Sequence, residues 1–556
     1  MKNKWLKKTF GCLLATALVV GSMVGCGSTD VKESTSTKES EATTNKEQST
    51  PVSSEQNVEE KFEVSYPMDG TTTLTIAYQT QTAVTANYKD LTETPFWKAW
   101  QENTGIKLEA MELSKDQMNL LLTSDELPDL ILMKPYSYPG GPELAILDNV
   151  IEPLNAYEKY IPDLLETLNS DDRYYKASTT DSGNLIGAPF VRGDNYLLCS
   201  QGMIIRKDWL EELDMDIPTT PDQLYDTLVA FRDKKGAAEA LSSDPWQLKN
   251  YYLQDGLITS GFGLPTADFY IEDGKVHYGF AEPEIKDCYA FLNKLFEENL
   301  MERDYGTWDG AVYKNNIVGG NSGLTAGSVG GNLGSWMTET VATNPTYELT
   351  GVPSLVQKEG DKAKGDASNF CIPGAFLVMT KQCDNKEAAA QFINYGYTEE
   401  GRMFFNYGIE GESYTVVDGV PTYTEFVTKN PDGWTMQQAL AGYCMSWSEG
   451  PFVQEKGYML QYASMPQQIE AITNWTNTDY MDYQLPLLAI SLDDSEEYSK
   501  INSEISTFID EMVVAYVTGE KSLDNFEVEY MEKMKTLGVD RLIEIQQKAY
   551  DAYNAR

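Results

Sequence analysis

The one histidine of the chain, His277, stands in Gly274-Lys275-Val276-His277-Tyr278-Gly279, an alternating stretch that reads as a short strand between turn residues. A single imidazole cannot build a multi-histidine zinc site, and no His-Glu-x-x-His spacing occurs. A Ser-His-Asp triad would have to use His277, yet no Gly-x-Ser-x-Gly elbow is present. Gly360 to Gly365 has the glycine spacing of a phosphate loop but continues with Asp366 where lysine is required. The run Gly327 to Gly334 is glycine-rich without lysine, and suits either close backbone approach to a ligand or a plain connection. Glycoside hydrolysis needs two placed carboxylates, but with 85 Asp and Glu residues some pair falls at the right separation by chance. Neither a metal nor a cofactor is expected.

The ends of the chain are more specific. Lys2, Lys4, Lys7 and Lys8 precede an apolar run from Phe10 through Val20, the order of a secretory signal peptide and too short to span a bilayer. Met23-Val24-Gly25-Cys26 then resembles a bacterial lipobox, with leucine the commoner residue where Met23 stands. That resemblance implies cleavage after residue 25 and lipidation of Cys26, so that acyl chains hold the protein on the membrane. Ser28 to about Tyr66 contains almost no large apolar side chains and cannot offset chain entropy by burial, so residues 26–66 read as a tether with a reach of roughly 30 to 40 Å. The net charge of −42 argues against nucleic acid or an anionic lipid surface as partner. Beyond Cys12 and Cys26, the cysteines Cys199, Cys288, Cys371, Cys383 and Cys444 are odd in number, scattered and without a CxxC pair, so buried small hydrophobes are expected in place of a disulfide framework.

Stepping along the rest of the chain, Thr73 to Tyr78 alternates like a strand. Thr94 and Pro95 open a helix carrying Phe96, Trp97 and Trp100, which Gly105 stops. Ile106 to Leu113 is a second strand, Ser114 and Gln117 form a capping box, and Leu130 to Met133 is a third strand after Pro128-Asp129. This alternation predicts a mostly parallel α/β sheet, with binding loops at the carboxyl ends of the strands: Gln79 to Asp90 and Lys134 to Gly141. A second passage begins at Met203, with a capped helix at Thr220-Pro221-Gln223, and amphipathic helices close the chain from Ser499 to Ala555. Nearly five hundred residues exceed what one core usually holds, so at least two lobes are expected.

Four blocks in order, Leu121 to Ile131, Ile205 to Leu210 with Pro218 to Tyr225, Asn406 to Thr415, and the tail with Val517-Thr518-Gly519, Leu537 to Asp540 and Ala549-Tyr550-Asp551, resemble the family 1 extracellular solute-binding lipoproteins of Gram-positive bacteria. The resemblance implies a two-lobed periplasmic-binding-protein-like (type II) α/β fold with the ligand held between the lobes. It also implies the division 67–198 plus about 369–430 for the first lobe and 199–368 plus about 431–556 for the second. Where several relatives carry a calcium loop, this chain reads Asp233-Lys234-Lys235-Gly236-Ala237-Ala238, so calcium is not expected.

By that resemblance the chain is a noncatalytic monomeric receptor on the outer face of the cell membrane, which hands an oligosaccharide or other sugar-like solute to ABC transporter permease subunits. A sugar offers apolar C–H faces and a rim of hydroxyls, so aromatic rings beside amides or carboxylates are the candidates. These are Tyr136 and Tyr138; Asn195, flanked by Asp194 and Tyr196; Trp308 and Asp309; Trp336; Glu410 and Tyr414; Trp434; and Trp447. A peptide receptor and a surface-anchored glycoside hydrolase remain alternatives at this point.

Overall fold

Alternating burial turns Thr73–Gln79 into a strand with Leu74 and Ile76 inside, and Thr94 caps the following helix Pro95–Thr104 by accepting the Trp97 N–H at 3.2 Å. Gly105 ends that helix at φ +71°, a conformation glycine adopts without a Cβ penalty. In the computed structural model, which describes residues 63–303 and 312–556, this opening forms the first of two α/β layers. The strands used below are β1 (Thr73–Gln79), β2 (Lys107–Leu113), β3 (Leu130–Met133), β4 (Ala188–Pro189), β5 (Val191–Arg192), β6 (Gln201–Arg206), β7 (Leu324–Ser328), β8 (Leu349–Val352), β9 (Phe376–Met379) and β10 (Val453–Gln454).

The first sheet has the order β2-β1-β3-β9-β4. β1 runs parallel to β2 and β3, while β9 enters antiparallel between β3 and β4, with Phe376 opposite both Met133 and Pro189. The second sheet is antiparallel, β8-β6-β7. Trp97 and Trp100 are buried as their helical spacing predicts, and Phe96 stacks on Phe404 with ring centroids 4.9 Å apart. His277 lies on the strand Lys275–Tyr278 and its Nδ1 is 2.9 Å from Glu282 Oε1. The five cysteines beyond Cys26 are free, and all but Cys371 are buried. Among the described residues no helix is long and apolar enough to cross a membrane.

Two hydrophobic cores organise these layers. One gathers Leu74 through Val191, then Ile372 to Phe405, then Ala441, Met445, Phe452 and Val453. The other gathers Leu197 through Ala367, Tyr407 to Leu440, and Tyr458 to Leu542. Near the expected boundary at about 430 the two cores interleave: Tyr407, Tyr414, Tyr423, Val427, Leu440 and Cys444 pack in the second, and Ala441, Met445, Phe452 and Val453 in the first. The reason is aromatic, since Tyr407 packs against Tyr414 and Tyr423 at 5.9 and 5.6 Å. Between the cores the chain crosses in neighbouring extended segments. β5 and β10 pair in parallel, Gly193 N donates to Gln454 O at 3.0 Å, and Arg192 N donates to Cys371 O at 2.8 Å. A Cβ at Gly193 would sit 2.8 Å from Val453 Cγ1, so glycine permits the two crossings to run this close.

Beside these crossings, in the second lobe, lies a cluster of carboxylates. Asp255 Oδ2 accepts from Gln201 Nε2 at 3.4 Å, and burial, with Asp366 and Asp268 nearby, pushes its pKa up to about 8. A carboxyl raised in the folded state holds its proton there while the unfolded chain ionises, so its contribution to stability is present below the ordinary value near 3.8 and is lost as pH climbs toward about 8. Asp255→Asn therefore flattens this pH dependence: its melting temperature exceeds that of the wild type by a few degrees at pH 8, and the gap narrows toward pH 5. Superimposable profiles from pH 5 to 9 for the two proteins would contradict this.

Candidate functional site

The parallel strands of the first sheet end together, and their carboxyl ends frame a cavity of about 910 Å³. β1 contributes Gln79 and runs on into Thr80 and Gln81; the helix after β2, Lys115–Leu121, contributes Lys115 and Asn119, and the turn that ends it Thr123; β3 runs into Lys134, Ser137, Tyr138 and Pro139. Ser448 and Glu449, just before β10, close the rim, and Met118, Leu122, Leu132, Met133 and Ala375 supply apolar surface. Both loops read from the sequence at strand ends, Gln79 to Asp90 and Lys134 to Gly141, contribute residues to this cavity.

The polar groups are amides and hydroxyls with few net charges. Lys134 Nζ pairs with Glu449 Oε2 at 3.1 Å, and Gln81 Nε2 donates to Ser448 Oγ at 3.2 Å, tying the β1 and β3 loops to the segment that leads into β10. Gln81 Oε1 is buried with no hydrogen-bond partner among the described residues, an acceptor available to a ligand hydroxyl. Tyr138 donates its hydroxyl to Asp148 Oδ2 at 2.9 Å, and burial together with that carboxylate raises its pKa to about 12. Such a site can hold a polyhydroxylated molecule by directional hydrogen bonds over an apolar floor.

The loop from Tyr136 to Gly141 also forms one wall of a second recess of about 340 Å³, whose other wall comes from Leu488 to Ile490, Ser495, Tyr498, Ser499 and Gln546. Tyr136 is anchored by donating to Ala177 O at 2.9 Å, so this loop stands at the seam between the lobes with Tyr138 facing both spaces. Trp447 is at the seam too: half-buried, packed against both cores, its Nε1–H donating to Cys444 O at 2.9 Å, and adjacent in sequence to Ser448.

The remaining sequence candidates fall elsewhere. Trp336 is only 2% exposed, packed in the second core with Tyr313 at 5.9 Å, and has no face open to a ligand in this structure; the glycine-rich stretch before it is wound as a turn of helix, Val329–Gly334, that the sequence reading took for a loop. Trp434 packs edge-on against Tyr88 and Phe426 and does not line the large cavity. Asn195 is exposed on the crossing segment. Cys26, Trp308 and Asp309 lie outside the described residues.

Glu410 and Tyr414 line a separate recess of about 460 Å³ against the helix Pro95–Thr104. Their motif has a structural task. Asn406 donates to Val453 O at 2.8 Å and accepts the Glu455 N–H at 2.8 Å, so its amide spans Gln454 of β10, and Ser413 Oγ donates to Tyr407 O at 2.7 Å. At Gly408, φ +90°, a Cβ would meet Ser413 Oγ at 2.4 Å and Tyr443 O at 2.7 Å. Gln81, Lys115, Asn119, Lys134, Ser448 and Glu449 are absent from the sequence candidates because those favour aromatics; position after a strand was the signal that pointed to two of them, Gln81 and Lys134.

With this geometry in view, comparison with known proteins is informative. Residues 85–403 match the family model described as bacterial extracellular solute-binding protein. The chain is 25% identical to Lipoprotein LipO of Bacillus subtilis (strain 168) over 64% of its own length and 70% of that protein's. It is 21% identical to the fructooligosaccharide ABC transporter substrate-binding protein FusA of Streptococcus pneumoniae, over 84% of its own length and 88% of that protein's. Its fold is similar to that of the alginate-binding protein AlgQ2, with a TM-score of 0.69 at 21% identity, covering 88% of this chain and all of that one. The two-lobed α/β architecture, the strand-end cavity at the seam and the match over more than half the chain agree: this protein belongs to the bacterial extracellular solute-binding proteins.

Proposed function

We propose that the strand-end cavity captures an intact oligosaccharide between the lobes and that the loaded protein delivers it to the permease subunits of an ABC importer. The observation that carries this reading is the cavity itself: about 910 Å³, within the range of small-molecule sites, lined by three amides, five hydroxyls and an apolar floor. FusA and AlgQ2, a fructooligosaccharide-binding and an alginate-binding protein by name, connect relatives of this architecture with glycans, which supports a glycan and leaves its identity to the cavity's own contacts. Capture without turnover is the part of this reading that recovery of the intact sugar tests.

On the same reading Cys26 carries the lipid, residues 26–66 serve as tether, and the protein works as a monomer on the outer face of the cell membrane. LipO, whose name declares a lipoprotein, supports the anchor. Cys26→Ser is then expected to move the protein from the membrane fraction into the culture medium, as immunoblots of fractionated cells would show.

Incubation of the purified protein with a panel of neutral and acidic oligosaccharides tests the ligand class. A bound glycan at one hundred times its Kd stabilises the folded state by about 2.7 kcal/mol, visible as a rise in melting temperature with the sugar recovered intact. Released reducing ends would show a glycoside hydrolase instead, and a response to peptides alone would show a peptide receptor. For a glycan that binds, Tyr138→Ala raises Kd about tenfold or more by removing a ring and a hydroxyl from the cavity wall, and Glu410→Ala, in the other recess, changes it less than about twofold. Equal effects of the two substitutions in a titration would place the ligand elsewhere.

A further inference from the structure

The helix Val539–Ala555 is rooted in the second lobe. Val539 and Leu542 belong to its core, and Gln547 Oε1 accepts the Val276 N–H at 2.8 Å. Its far end leaves that lobe. Arg556 Nη1 donates to Lys176 O at 2.6 Å and to Thr179 O at 2.7 Å, and Arg556 Nε donates to Asp181 Oδ1 at 2.7 Å. These acceptors lie at the end of the helix Asp172–Ser178, whose Ala177 is part of the first core. Carbonyls at a helix end lack partners within their own helix and carry partial negative charge, so a cation placed there gains both hydrogen bonds and dipole energy. Here the cation comes from the other lobe.

The contact is more than a surface ion pair. The Arg556 side chain is 6% exposed, its guanidinium lies 5.4 Å from the Tyr553 ring centre, and Lys176 Nζ lies 5.3 Å from the same centre on behalf of the first lobe. Charge-assisted bonds to three acceptors from a planar fork are stronger and more directional than a single ammonium contact. The anchored helix end is also what holds the binding loop: Tyr136 donates to Ala177 O at 2.9 Å, one residue from the Lys176 carbonyl that Arg556 grips. Burial pushes the Tyr136 phenol up to about 12, an effect the Arg556 guanidinium beside it opposes.

We propose that Arg556 is an interlobe latch, which fixes the spacing of the two lobes by clasping the end of helix Asp172–Ser178. The covalent crossings permit rotation of one lobe against the other, and the latch selects one arrangement from that range. A contact present in one arrangement and lost in another shifts the population between them by its full differential energy. The latch therefore acts as a positioning device and touches no ligand.

The test reads distance and needs no ligand. Spin labels on unnatural amino acids at the exposed positions Leu120 and Val528, one in each lobe of the full chain, report the interlobe distance distribution. The wild type is expected to give one narrow population. Arg556→Met should move the ratio of unlatched to latched molecules by about tenfold or more and broaden the distribution. Asp181→Asn, which spares both carbonyl acceptors, should give an intermediate effect, and Arg556→Lys, which keeps charge without the fork, only partial recovery. Melting curves identify any variant that has lost its fold, and the milder Asp181→Asn keeps the test decisive in that case. A broad distribution already in the wild type, or identical distributions in wild type, Arg556→Met and Asp181→Asn, would overturn the latch.

Discussion

The first sheet cannot be completed until the chain has built the second lobe. β9 sits between β3 and β4, yet it arrives only after the whole β8-β6-β7 sheet and its helices have been laid down. Until Phe376–Met379 pairs with Leu130–Met133 on one side and Ala188–Pro189 on the other, β4 has no place in the sheet and β3 has one unsatisfied edge. The second lobe is thus an insertion whose two ends must be brought together across a long span of sequence, at an entropic cost that later contacts repay. That requirement forces the chain through the narrow seam where β5, β10 and the Cys371 segment run side by side. It also places the open ends of β1, β2 and β3 at that seam, which is where the cavity lies.

Two of the sequence blocks that carry the family resemblance turn out to hold this seam and the second sheet in shape. In Ile205 to Leu210, Arg206 Nε and Nη2 donate to the two oxygens of Asp208 at 2.8 and 2.6 Å, with both side chains under one-tenth exposed. The Arg206 guanidinium is sandwiched between Trp209 and Tyr347, 4.2 and 4.5 Å from their ring centres. A buried pair of this kind returns little net stability, because desolvation offsets the attraction, but removing one partner strands a buried charge. In Asn406 to Thr415, the Asn406 amide holds β10 by pairing with Val453 O and the Glu455 N–H. Both motifs thus set backbone geometry in this chain, whereas the strand-end cavity is lined largely from loops.

That distinction explains what was legible in the sequence. Thr94, Pro95 and Gly105, and the Ser114–Gln117 capping box, signal elements through local hydrogen bonds, and each is found as read. Strand alternation and the strand-end rule located both loops of the cavity. Pairing β9 with β3 depends on contacts hundreds of residues apart and leaves no local trace. Aromatic type alone does not separate a packing role from a ligand-facing one: Trp336 is buried in the second core, Tyr414 lines a separate recess and Tyr138 lines the strand-end cavity. Ser448 and Glu449 were invisible for another reason: they reach the cavity only because the chain crosses the seam again just before β10.

Charge at the cavity is set locally, in spite of the −42 carried by the whole chain. Screening at physiological salt extends about 8 Å, so distant carboxylates contribute little to the potential felt by a bound molecule. The groups within reach are Lys115, Lys134 and Glu449. Lys134 already spends its charge on Glu449, 3.1 Å away. A neutral polyol would meet amides and hydroxyls with no ion to strip of water. An acidic glycan would gain Lys115 directly, but could engage Lys134 only by displacing Glu449, exchanging one ion pair for another with little net return. Lys115 and the Lys134–Glu449 pair therefore set the charge of this cavity, and because Glu449 lies just before β10 at the crossing, the same short segment that joins the lobes also shapes the cavity's electrostatic character.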